Sequence, residues 1–243
     1  MTLRSNSAAA PAEIDSSSSC SASVLNAASH PARGGVLPVA YRLPAPVGRR
    51  TLRKSLAIEL VIDQSSSNST SDPHDLRVTE SAEVLRWLGR YARRTDQVGV
   101  VQFSSSPTTT LPLTRVRLAA GRAGSVTAPD PSVAGGGTDI AAALSLAVSN
   151  LAAAPQSSRR MIVLFTDGAS NTQGSVGPVL AQAPGIDAFM IALNADGTFD
   201  RARGFWESMP LSGITQIKSA SRGTVARPIA QAIVGETGQR LPR

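Results

Sequence analysis

Leu56-Ala-Ile-Glu-Leu-Val-Ile62, followed at once by Asp63-Gln-Ser65-Ser-Ser67, is the stretch on which the fold turns. A run of seven residues with one charge and no polar alternation reads as a strand buried on both faces. It ends in an acid and two alternate hydroxyls, so three oxygen ligands leave one sheet edge. Two later segments supply what such a site still needs. Thr138 lies in Gly135-Gly-Gly-Thr-Asp139, and Asp167 in Ile162-Val-Leu-Phe-Thr-Asp-Gly168, again at the end of an apolar run. Carboxylate and hydroxyl oxygens without Cys or His describe a hard-cation site for Mg²⁺, Mn²⁺ or Ca²⁺, not for zinc.

Outward from this stretch, strand and helix signals alternate. The pattern predicts strands over 56–63, 97–103, 160–166, 186–193 and 214–217, with 108–113 pairing back on the second as a hairpin. Helices are expected over 76–94, where Val78, Ala82, Leu85, Leu88 and Tyr91 share one face, and over 139–151, capped by Thr138 or Asp139. Shorter helices are expected over 176–183, 202–208 and 225–234. Apolar strands separated by helices predict a doubly wound, mostly parallel α/β sheet, Rossmann-like, with helices on both faces. Ligands of such folds bind beyond the carboxyl ends of the strands, where strand order reverses. Asp63 to Ser67 and Asp167 fall at those ends, so separations of 71 and 29 residues along the chain are no obstacle.

Upstream the composition changes. Residues 1–37 are rich in Ser and Ala, lack periodicity and are expected to be a disordered arm. Residues 38–54 hold Pro44, Pro46 and Arg49-Arg50-Thr-Leu-Arg53-Lys54 and read as a basic, solvated linker, with a short strand at 37–43 as an option. The domain proper is expected to occupy residues 55–243. The net charge of +7 is uneven: residues 1–55 carry seven Lys/Arg against two acids, and the remaining 188 carry 17 against 15. Nucleic-acid binding wants a basic face on a folded domain, and that reading ranks last. Cys20 is alone, which excludes an intramolecular disulfide, and His30 and His74 read as solvated. No apolar run reaches the roughly 18 residues of a membrane helix, and no secretory signal is recognisable, so the expectation is a cytoplasmic protein.

Asp-x-Ser-x-Ser after a first strand, Thr in a Gly-Gly-Thr-Asp loop and Asp-Gly after an apolar strand resemble the von Willebrand factor A (VWA) domain. The resemblance covers roughly residues 55–235. It implies a metal-ion-dependent adhesion site (MIDAS) in which Ser65, Ser67 and Thr138 offer hydroxyl oxygens. Asp63 and Asp167 then balance charge, directly or through water. Mg²⁺ suits such a set because it prefers an octahedral shell and keeps several waters. The implied function is non-catalytic: a protein partner's Asp or Glu side chain completes the metal shell. A refinement drawn from bacterial members is an accessory subunit of an AAA-type ATPase assembly. Two departures stand out. Ser66 occupies a position often held by Gly, and Asn68 one often held by Met, where an Asn needs polar company or faces solvent.

A Mg-dependent hydrolase or phosphotransferase is the enzymatic alternative. Its strand-end nucleophile needs a second acid two residues on, and Ser65 stands there. Asp196-Gly-Thr198 reads as a turn, and no Walker loop or nucleophile elbow is present. Singly, each site residue is an ordinary turn or cap residue; together and in order they are read as a site. Glu59 interrupts the first strand. It is expected to find a structural partner, face an edge or be protonated.

Overall fold

The computed structural model describes residues 41–170, 173–218, 221 and 223–242. Strand β1 (Leu56–Asp63) is buried at all eight positions. It pairs in parallel with β2 (Gln97–Phe103) on one side and with β4 (Arg159–Thr166) on the other. Beyond β2 lies antiparallel β3 (Pro107–Arg115), and beyond β4 come parallel β5 (Ile186–Leu193) and β6 (Gly213–Ile217). The order is β3-β2-β1-β4-β5-β6, so it reverses between β1 and β4. The carboxyl ends of those two strands therefore flank the crevice where a doubly wound fold presents its ligand site.

Alternation along β1 distributes its side chains between two cores. Ile58, Leu60 and Ile62 face helices α2 (Leu76–Tyr91) and α8 (Ala226–Thr237). Ala57 and Val61 face the other layer, with α5 (Ile140–Ala152), α6 (Gln173–Ala181) and α7 (Thr198–Glu207), where Phe199 and Trp206 supply the largest buried rings. Three short helices were not anticipated: α1 (Asn68–Ser71), α3 (Val116–Gly121) and α4 (Ala123–Thr127). Helix α3 crosses α2 so closely that a Cβ on Gly89 would stand 2.4 Å from that of Ala120.

Of the segment expected as a linker, residues 41–54 pack on the domain as a strap. Leu43 is buried and its amide donates to Glu83 Oε1, while Trp87 Nε1 donates to the Pro44 carbonyl. Val47 pairs with Arg240, and the Thr51 amide reaches the Thr237 carbonyl at the end of α8. Arg50 closes a two-pronged bond on Asp96, at 2.6 and 3.0 Å. Asp96 is fully buried and also accepts from the Leu56 and Arg93 amides. The Pro and Arg content concealed this, because the apolar anchors are single residues and not a periodic run. The arm over 1–37 and most of the optional 37–43 strand lie outside the described residues; residues 41–43 form no strand.

Of the options expected for Glu59, the structure favours the protonated acid over a structural partner. The Glu59 side chain lies in the α5 layer, fully buried, with neither carboxylate oxygen hydrogen-bonded. Gly99 on β2 provides the room, since a Cβ there would meet Glu59 Oε1 at 2.2 Å. Burial pushes the carboxyl up to about 8, against an opposing pull from the Asn150 amide, which lies near without completing a hydrogen bond, so the acid is mostly neutral at pH 7.

Two outcomes follow from these placements. Arg50→Ala leaves Asp96 without its cation and should cost about 3–5 kcal/mol, read as a lower urea midpoint; an unchanged midpoint would make the strap incidental. For Glu59, the folded pKa lies above the unfolded one, so its contribution is fully present at low pH and lost between about pH 4.5 and 8. Glu59→Gln should remove that share of the decline across the window, and parallel midpoint–pH curves for the two proteins would contradict the assignment.

Candidate functional site

At the carboxyl end of β1 the Asp63 side chain is wholly buried and fully engaged. Its Oδ1 accepts from the Ser65 amide at 2.8 Å, and its Oδ2 from Thr166 Oγ1 at 2.7 Å. Thr166 Oγ1 in turn accepts from the Gly168 amide. Burial, against hydrogen bonds from Ser65 and Thr166, holds the Asp63 carboxyl up at about 6, and the negative field of Asp167 adds to the rise. A cation placed here reverses that balance by favouring the carboxylate.

The loop after Asp63 presents its hydroxyls in sequence. Ser65 Oγ and Ser67 Oγ lie 3.1 Å apart. Ser65 is buried, Ser67 half-buried and Ser66 exposed, so the two alternate serines turn to the site side and the one between them faces out. Ser66 Oγ still donates to the Gly136 carbonyl. Asn68 takes the first of its two options and finds polar company. It is buried, and its Nδ2 lies 3.2 Å from Ser65 Oγ, 3.3 Å from the Ser65 carbonyl and 3.4 Å from the Asp63 carbonyl. Its Oδ1 has no partner.

The glycine loop is stitched to this turn. The Gly135 amide donates to the Gln64 carbonyl, and the Gly137 amide to Ser105 Oγ. Gly135 and Gly136 both have positive φ, 89° and 76°, a region that suits glycine. Thr138 follows, buried, its carbonyl accepting from Ser170 Oγ. Asp139 then caps α5, accepting from the Ala142 amide at 2.9 Å. At the end of β4, Asp167 is fully buried; Oδ1 accepts from the Ala169 amide and Oδ2 from Ser71 Oγ at 3.3 Å.

The sequence reading thus named Asp63, Ser65, Ser67, Thr138 and Asp167, and the fold carries all five at the carboxyl ends of β1 and β4 and in the glycine loop stitched to the first. Several supporting groups escaped it. Thr166 ties β4 to Asp63, and its signal was a lone hydroxyl in an apolar strand. Ser71 reaches Asp167 from α1. Arg77 is buried behind the loop, donating from Nε to the Asp63 carbonyl and from Nη1 to Asp72 and Asp75. Trp206 Nε1 donates to the Gly168 carbonyl, holding the loop after Asp167. Asp196-Gly-Thr198 is the turn expected: Asp196 accepts from Thr198, and also from Thr70 at 3.0 Å. Among the described residues no three or more His, Cys, Asp or Glu side chains gather as a metal cluster, so any cation here depends on hydroxyls.

A family model described as the von Willebrand factor type A domain matches residues 58–169, which takes in all five positions. No curated protein matches. Among solved structures, the conserved hypothetical protein BatB from Bacteroides thetaiotaomicron is 16% identical with a TM-score of 0.55, over 74% of this chain and 98% of that one. The pilus adhesin SpaC from Lactobacillus rhamnosus GG is 16% identical with a TM-score of 0.61, over 78% of this chain and 31% of that one. Proximal thread matrix protein 1 from the mussel byssus, solved with a zinc-occupied MIDAS motif, is 18% identical with a TM-score of 0.52, over 74% and 48%. This chain thus spans about a third and about half of the last two. These likenesses are likenesses of fold: an open, doubly wound α/β sheet of the kind they share.

Thr166→Val keeps the side chain's shape while removing the donor to Asp63 and the acceptor for Gly168. It should lower stability by about 1–3 kcal/mol, and a midpoint equal to that of the unmodified protein would count against the bridge between β1 and β4.

Proposed function

We propose that the chain is a VWA domain whose Ser65, Ser67 and Thr138 hydroxyls, backed by Asp63 and Asp167, hold a divalent cation that captures an acidic side chain of a protein partner. The observation that carries this reading is the pair of serine hydroxyls. Adjacent corners of an octahedron with bonds of 2.0–2.1 Å lie about 3 Å apart, and Ser65 Oγ and Ser67 Oγ stand 3.1 Å apart on the loop. Mg²⁺ or Mn²⁺ fits this spacing, and a Ca²⁺ ion with seven ligands at 2.3–2.6 Å also sets neighbouring oxygens about 3 Å apart. Both Asp63 oxygens are already engaged, which suits a charge held behind the hydroxyls better than a direct ligand. Asn68 Nδ2 lies within reach of one Ser65 lone pair, and the Ser65 proton can point to Asp63, leaving another lone pair for the ion.

Such a site binds and does not transform. Asp63 lacks a second acid two residues on to relay protons, since Ser65 holds that position, and its oxygens face the protein's own donors. A divalent cation held by Ser65, Ser67 and Thr138 would instead supply an electrophilic centre for a partner carboxylate.

At a hundredfold excess over its Kd, Mg²⁺ or Mn²⁺ should stabilise the domain by about 2.7 kcal/mol. For a domain of this size that raises Tm by about 5–10 °C, and EDTA should reverse it. Asp63→Ala and Thr138→Ala should abolish the shift and the EDTA-sensitive capture of a partner while preserving circular dichroism. A flat melting temperature at millimolar metal would dispose of the cation reading.

A further inference from the structure

The pole of the sheet opposite the candidate site carries a surface of different character. At the amino ends of β1 and β2, the 92–96 turn, the strap and the start of α3 meet around Asp96. The Val116 amide donates to the Asp96 carbonyl, Arg93 Nη1 to the Arg53 carbonyl, and Arg50 Nη2 to the Lys54 carbonyl. Arg115 pairs with Gln97 at the foot of the sheet. This brings Arg53, Lys54, Arg93, Arg94, Arg115 and Arg117 to one pole, all exposed.

Among the described residues no exposed acid offsets them there. Between residues 84 and 129 the one acid is Asp96, which is fully buried and taken up by Arg50 and two amides. Glu83, the nearest acid upstream, is buried and accepts from Arg90 and the Leu43 amide. On the β4–β5 side of the same pole the balance differs, for Arg159 is paired with Asp187 and Glu236. The uncompensated charge is thus confined to the β1–β2–β3 side.

The second observation concerns apolar side chains. Among the described residues three large ones stand exposed: Val47, Tyr91 and Leu118, at 38%, 44% and 66%. Tyr91 ends α2 beside Arg93 and Arg94, Leu118 follows Arg117 on α3, and Val47 lies in the strap two residues before Arg49. Exposed apolar residues and unpaired arginines therefore occur on the same elements.

We propose that this pole docks on a bilayer carrying anionic headgroups. Phosphate headgroups neutralise the guanidinium groups, and Leu118 enters the boundary between headgroups and acyl chains, as the apolar members of interfacial surfaces do. A nucleic acid offers the same phosphates but nothing for Leu118, and it asks for aromatic faces on which bases stack. Tyr91 is poorly placed for that, with Arg90 over its ring at 5.9 Å and the Trp87 ring at 6.1 Å. Since β1 spans eight residues, about 26 Å, docking at its foot leaves the candidate site facing away from the lipid. The proposal does not depend on that site holding a metal.

The test is sedimentation of the full chain with vesicles, in EDTA, at 0.1 M salt. Vesicles of 60% phosphatidylcholine and 40% phosphatidylglycerol should bind it, and pure phosphatidylcholine vesicles should not. Raising salt to 0.5 M should release it, because screening shortens the reach of each charge. The double variant Arg94→Glu/Arg117→Glu should lose at least tenfold in binding, and Leu118→Ser several-fold with its salt dependence intact. Arg201→Glu, an exposed change on α7, should bind as the unmodified protein does. Equal binding to both vesicle types, or an unaltered double variant, overturns the proposal. So does tight binding of an RNA oligonucleotide that the double variant loses while vesicles bind neither protein.

Discussion

Asp63 fastens the end of β1 to the end of β4. One oxygen takes the amide of its own turn and the other takes the Thr166 hydroxyl across the ladder. This is a buried carboxylate at the place where the strand order reverses, and no neighbouring strand fills the crevice beyond it. Everything at that end takes its position from this link. The Ser65 to Ser67 turn starts from it, the glycine loop is bonded to Gln64 next to it, and Arg77 grips the Asp63 carbonyl from behind. Without the bridge, the two central strands would still pair along their length, but their tips would lack a common reference.

The two buried acids of β1 illustrate opposite solutions to one problem. Asp63 is surrounded by donors and sits at a strand end, where loops can bring amides and hydroxyls to it. Glu59 lies mid-strand, where neighbouring amides are committed to the ladders, and it finds no hydrogen-bond partner. Its accommodation is steric, through the missing side chain of Gly99, and chemical, through retention of its proton. Ionisable groups four residues apart on one strand thus differ because one reaches the loop layer and the other does not.

Much of this was legible in the sequence. The bounds of β1, β2 and β5 are those expected, because an apolar run flanked by polar turns has sharp edges. The placement of the five candidate residues was legible because each lies at or just beyond a strand end or follows a glycine run. What escaped had no pattern to display. Helices α3 and α4 are short and interrupted by Gly121, Arg122 and Gly124, and α3 owes its place to a close approach at Gly89. The strap is anchored by Leu43 and Arg50, isolated residues in a Pro- and Arg-rich stretch that reads locally as solvated. Thr166, Ser71 and Arg77 are single polar residues whose partners lie far along the chain or on the backbone, and only the fold brings them together.

The antiparallel bridge between Val47 and Arg240 has a mechanical consequence. The segment that leads into the sheet and the one that leaves its last helix run side by side at one pole. Tension applied through the two flanks therefore loads the Leu43–Glu83 and Pro44–Trp87 bonds on the leading side, then that bridge and the Thr51–Thr237 bond in sequence. The ladders of β1 with β2 and β4 lie behind Arg50 and Asp96, and they bear load only after that clasp has parted. Under such a load the strap would yield before the end of the sheet where Asp63 lies.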